Sequence, residues 1–168
     1  MTGTAFTRAA LSVGETSIEY LRAGQGSTVL LLVAGGAESA LSLRVVTVLS
    51  RGWRVIVPKW PAGDTVLSST LDEFIEGLGI APTAIIADGE FCAAALDLAA
   101  ASDGVTVVAL LTSADEAGAL EAAARTRLAG RRVTVIVRPV PALDTGLTAF
   151  ARELLEAMDS GTTRTLHT

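Results

Sequence analysis

Two carboxylates flank a glycine at Asp88-Gly89-Glu90, and a cysteine follows two residues later at Cys92. Carboxylates gathered into one cleft can exchange a proton with a bound molecule, because burial disfavours the charged form and raises the pKa toward neutrality. A helix start also favours carboxylates electrostatically, so Asp88 and Glu90 have a purely structural explanation beside the chemical one. Of the two, Glu90 is the stronger functional candidate. Cys92 is the only cysteine. As a thiolate it would be a nucleophile, but it opens an alanine-rich run with no base in the neighbouring sequence, which fits a small buried hydrophobe better. One histidine and one cysteine do not make a zinc site, and no metal or cofactor is predicted. There is no G-x-x-x-x-G-K-[ST] loop, and Gly24-Gln25-Gly26 precedes an apolar run instead of opening a helix, so neither nucleotide fingerprint applies.

The elements that must hold these groups can be read from the surrounding pattern. Thr83 to Ala99, TAIIADGEFCAAALDLA, is a short apolar run, a tight acidic turn and an amphipathic alanine-rich run, as in a buried strand turning sharply into a helix. Upstream, residues 4 to 11 and 16 to 22 alternate loosely around Ser12-Val13-Gly14-Glu15, which predicts an antiparallel hairpin. Thr28 to Val33 is a continuous apolar run ending in Ala34-Gly35-Gly36-Ala37, and Ser39 is placed to cap a helix through Leu49. Arg54 to Pro58 predicts another buried strand. Lys59 to Ser69 predicts a loop, and Thr70-Leu71-Asp72-Glu73 the cap and acidic first turn of a helix through Leu78. Beyond the central unit, Val105 to Leu111 predicts a strand, Ser113 to Ala129 a helix, Val133 to Arg138 a strand, and Gly146 to Met158 a helix. Thr162 to His167 is a candidate for a short final strand. Strands alternating with helices imply right-handed crossovers and an α/β fold of three layers, a doubly wound, mostly parallel sheet.

Composition agrees. The chain has 168 residues, of which 50% are hydrophobic and 18% charged, so it is long enough for one domain over residues 1 to 168 with a real core. Net charge is −5 with no basic stripe, which argues against nucleic acid as a partner. No apolar run approaches the roughly 18 to 20 residues needed to span a bilayer, and the first residues lack a signal-peptide pattern; a soluble, cytoplasmic protein without a membrane partner is expected. One lysine against twelve arginines, with abundant alanine and glycine, suggests a GC-rich bacterial genome.

Several local patterns occur together in order: Ile18-Glu19-Tyr20-Leu21-Arg22-Ala23-Gly24 before Val29-Leu30-Leu31-Leu32; Val55-Ile56-Val57-Pro58-Lys59-Trp60-Pro61-Ala62-Gly63; Leu71-Asp72-Glu73-Phe74 through Leu78-Gly79-Ile80; and the Ala87-Asp88-Gly89-Glu90-Phe91 turn. Together they resemble the α/β-hydrolase family, whose G-x-S-x-G nucleophile elbow holds a catalytic serine at the top of a parallel sheet. The resemblance is close over residues 16 to 111 and rests on element order beyond. It implies a minimal member without a cap domain, with Gly89 at the serine position and therefore no oxygen or sulfur nucleophile there. The oxyanion donors it implies are the amides of Glu90 and Gly36. It also places the family's acid near Asp144 and its histidine at His167, the only histidine, although a turn suits Asp144 better and a solvated terminus suits His167 better.

Three readings follow. One is a non-hydrolytic protein that binds a small apolar molecule, or a partner, in a cleft at the elbow formed by Gly35, Gly36, Gly89, Glu90 and Trp60. A second is a lyase, isomerase or cyclase using Glu90 or Asp88 as general acid or base. The third is an assembly role, with a homodimer covering apolar helices or an edge strand.

Overall fold

The computed structural model describes residues 5–60, 68–139 and 146–160. Asp144, His167 and the final strand expected over Thr162 to His167 lie outside the described residues. The chain opens as the predicted hairpin, β1 (Phe6–Val13) and β2 (Thr16–Ala23), with a shorter turn than expected because Ser12 and Val13 stay paired with Ser17 and Thr16. There follow β3 (Thr28–Leu32), α1 (Ala40–Leu49), β4 (Arg54–Lys59), α2 (Ser68–Leu78), β5 (Pro82–Asp88), α3 (Phe91–Ala101), β6 (Val107–Thr112), α4 (Ala117–Arg127), β7 (Thr134–Pro139) and α5 (Gly146–Ser160).

Among the described residues one seven-stranded sheet has the order β1-β2-β4-β3-β5-β6-β7. The hairpin joins antiparallel through β2 and β4, and every pairing from β4 to β7 is parallel. Strands β3 and β6 are buried along their whole length, as their unbroken apolar sequences require when helices cover both faces. The pleat sends alternate residues to opposite cores. Leu30, Ile85, Val108 and Leu110 meet Phe74 of α2 and Leu96 of α3 on one face. Val29, Leu31, Ile86 and Leu111 meet Val45 and Leu49 of α1 and Leu154 of α5 on the other. Only α4 lies between β6 and β7, so no cap is inserted there.

Helix starts show where local signals were overridden. Ser39 caps α1 as expected, its hydroxyl accepting the Ser42 N–H at 3.2 Å. Helix α2 instead begins at Ser68, which puts Thr70 to Glu73 inside it and not at its cap. Helix α4 begins four residues later than predicted. Ser113 to Glu116 form a turn closed by Glu116 N–H donating to Ser113 O at 3.2 Å, and the Thr112 hydroxyl donates to Glu116 Oε2 at 3.0 Å.

Candidate functional site at the strand-to-helix elbow

Strands β3 and β5 are neighbours, but the chain leaves β3 for a helix on one face and β5 for a helix on the other. Connections that diverge in this way open a crevice beyond the carboxyl ends of the strands, the usual place for a ligand in an open α/β sheet. The two loops at that crevice are Ala34-Gly35-Gly36 after β3 and Gly89-Glu90 after β5.

Gly89 takes φ +50, the left-handed backbone that a sharp strand-to-helix turn needs. Its N–H donates to Leu111 O at 3.2 Å, and among the described residues no heavy atom outside its chain neighbours lies within 4 Å of the place a β-carbon would occupy. The elbow therefore has its shape and an open space above it, with a hydrogen where the turn points outward.

Asp88, the last residue of β5, is half-buried. One carboxylate oxygen accepts the Ala34 N–H at 3.2 Å, so the side chain ties the β3 loop to the elbow across the crevice. Burial pushes the Asp88 carboxyl above the usual range, the Ala34 hydrogen bond works against that shift, and the neighbouring Glu90 charge adds to it. Glu90 is exposed, and its side chain makes no capping bond to α3. Of the two carboxylates favoured by the sequence, Asp88 is the one whose environment has been altered by the fold.

The loop after β3 corrects one expectation. Gly35 and Gly36 both have positive φ, 80 and 56, and begin a 3-10 turn over Gly36–Glu38. The Gly36 N–H, implied by family resemblance as an oxyanion donor, donates instead to Val33 O at 3.1 Å. Gly36 also packs so tightly on the end of β4 that a β-carbon there would lie 2.9 Å from Lys59 Cβ and 3.2 Å from Pro58 O. Lys59 in turn pairs with Glu38, Nζ to Oε1 at 3.1 Å.

Cys92 is buried in the first turn of α3, its sulfur 3.7 Å from both Ala87 O and Leu111 O. Burial above all, with the Asp88 charge adding to it, pushes its thiol up to about 11. That is a packing cysteine and not an activated nucleophile. Trp60 is half-buried against the α2 core, edge-on to Phe74 with centroids 5.8 Å apart, and among the described residues its buried Nε1 has no hydrogen-bond partner. Among the described residues no group of three histidine, cysteine or acidic side chains could hold a metal ion.

Clefts are also formed away from the elbow. One of about 370 Å³ lies between the β1–β2 hairpin and the end of β4, and one of about 590 Å³ between α1 and α5. Neither is lined by Asp88, Gly89 or Glu90. Among the described residues no helix is long and apolar enough to cross a membrane.

No protein-family model matches this chain, and no curated protein matches it in sequence. Solved structures do match its shape. A dienelactone hydrolase from Anabaena variabilis superposes with a TM-score of 0.71 at 15% identity, covering 94% of this chain and 98% of that one. A predicted CIB-like hydrolase from Thermoplasma acidophilum gives 0.70 at 12% identity, covering 94% and 100%. An N-acyl homoserine lactonase variant bound to N-hexanoyl homoserine gives 0.55 at 15%, with 68% of this chain matching 49% of that one. Strand order, the two helix layers and these likenesses together establish that the chain has the α/β-hydrolase fold, in a form without a cap domain.

Proposed function

We propose that this chain is a non-hydrolytic α/β-hydrolase-fold protein that binds a small, largely apolar molecule with a cationic or hydrogen-bond-donating group at the elbow crevice. The observation that carries the reading is the Asp88–Ala34 contact beside a left-handed Gly89. Acyl transfer needs a nucleophile and free N–H donors where an oxyanion develops. Here Gly89 has no nucleophilic atom, the Ala34 amide is held by a carboxylate, and the Gly36 amide is held by Val33. Two carboxylates at the crevice, Asp88 and Glu90, oppose a developing negative charge and favour a donor or a cation. Native mass spectrometry of the purified protein, with a denatured run beside it, tests the reading. A small molecule carried in the native run and lost in the denatured one supports it. Turnover of p-nitrophenyl acetate well above a protein-free control would sink it.

The raised carboxyl of Asp88 favours one further reading, in which this residue is the general acid or base of a lyase, isomerase or cyclase. Substitution separates the two once a ligand is in hand. A binder keeps much of its affinity in Glu90→Gln and Asp88→Asn, whereas a catalyst loses turnover by about two to four orders of magnitude.

A further inference from the structure

We propose that two copies of this chain pair through the outer edge of β1, antiparallel and centred on Ala9, to make one continuous sheet. Among the described residues strand β1 ends the sheet, pairs only with β2, and is exposed along Phe6 to Ala10. Phe6 is 46% exposed, one of two large hydrophobic side chains left open among the described residues. No proline or lysine guards this strand, and such an edge is a template for another strand.

Geometry and charge choose the register. A two-fold axis normal to a continuous sheet keeps each side chain on its own face, so paired residue numbers must sum to an even value and the axis must pass midway between one residue and its own copy. Centring on Arg8 sets two guanidiniums opposite each other. Centring on Ala10 sets Arg8 opposite a serine, Ser12, whose own partner on β2 is Ser17. Centring on Ala9 sets Arg8 opposite Ala10 of the second copy, and within each chain Ala10 is opposite Glu19. Arg8 and the second copy's Glu19 then lie in one row on one face, about 10 Å apart at two strand spacings, with only a methyl group between them. The axis makes the same pair twice. Neither Arg8 nor Glu19 forms an ion pair among the described residues, and both line the 370 Å³ cleft beside the hairpin. Phe6 falls opposite Ser12 of the second copy, where small side chains leave room for its ring. Backbone pairing and Phe6 burial supply the attraction; the charges fix the register.

Sedimentation equilibrium of the full chain, together with cysteine cross-linking, tests this. The wild type should be dimeric at about 100 μM, Arg8→Glu should weaken the dimer at least about tenfold, and the combined Arg8→Glu, Glu19→Arg exchange should restore it. Under mild oxidation Ala9→Cys should give a disulfide-linked dimer, since directly opposed strand residues lie within disulfide range, while Ala10→Cys should not. Cys92 is buried and does not interfere. A monomeric wild type, an Arg8→Glu dimer as tight as wild type, a combined exchange that stays weak, or cross-linking at Ala10 in place of Ala9 would each overturn the proposal.

Discussion

Asp88 and Ala34, fifty-four positions apart in the chain, are joined by a single hydrogen bond of 3.2 Å from the backbone amide to the carboxylate. It ties the β3 loop to the elbow across the crevice between β3 and β5. The bond favours the ionised carboxylate while burial disfavours it, and burial is the larger effect. A carboxyl raised in the folded state binds more protons folded than unfolded, so its contribution to stability is full below its ordinary value of 3.8 and is lost as pH rises through the folded value.

Asp88→Asn keeps an acceptor for Ala34 and removes the buried charge. Its stability relative to wild type should therefore improve from pH 3.5 to pH 7, read as urea midpoints at both values. A variant that loses ground at neutral pH would show that the ionised Asp88 is stabilised by the fold and that the direction argued here is wrong.

Gly89→Ser puts a hydroxyl into open space at a left-handed backbone position. The β-carbon meets nothing, so the expected destabilisation is the conformational cost alone, roughly 1–2 kcal/mol. With the Ala34 and Gly36 amides engaged, no acyl-enzyme burst should appear with p-nitrophenyl acetate. Thermal denaturation and a stopped-flow burst assay check the two halves separately.

Gly36→Ala should be the costlier glycine substitution. Besides a φ of 56, its β-carbon would press on the Lys59 and Pro58 backbone of β4, which cannot swing aside as a flexible side chain would. We expect roughly 2–4 kcal/mol of destabilisation, against about 1 kcal/mol for Gly89→Ala. Equal losses at the two positions in chemical denaturation would contradict the packing described.

Cys92 should be inert in the folded protein. A rise in its pKa from 9.0 to about 11 lowers the thiolate fraction at pH 8 about a hundredfold, and burial blocks access as well. Iodoacetamide labelling followed by mass spectrometry should be negligible in buffer and complete in 8 M urea. Rapid native labelling would mean that the first turn of α3 opens readily.

Much of the architecture was legible in the residues. The unbroken apolar runs of β3 and β6 required cover on both faces, and Asp88-Gly89-Glu90 between such a run and an alanine-rich helix required a sharp turn. Helix starts were less legible. Asp72 and Glu73 read as a first turn, yet α2 begins before them, because the apolar residues Leu71 and Phe74, both fully buried, fix the helix and local acidity does not. The chemistry of the crevice was legible in residue types and not in roles. Nothing within a few residues of Asp88 reports that its oxygen meets Ala34, and nothing around Gly36 reports that its amide turns back to Val33. Both facts depend on how the β3 loop sits against β4 and β5, which is tertiary geometry.

The sheet order also has a meaning in time. The β1–β2 hairpin closes through a two-residue turn and can form in microseconds, but it joins the sheet only by pairing Ala23 with Val55 and Glu19 with Lys59. Four of the six strand pairings are parallel and await their crossover helices, including the central one in which Leu32 meets Ala87. A chain dominated by such distant pairings folds slowly for its size. The hairpin can thus form before the sheet does, and until β2 meets β4 both of its edges are unpaired.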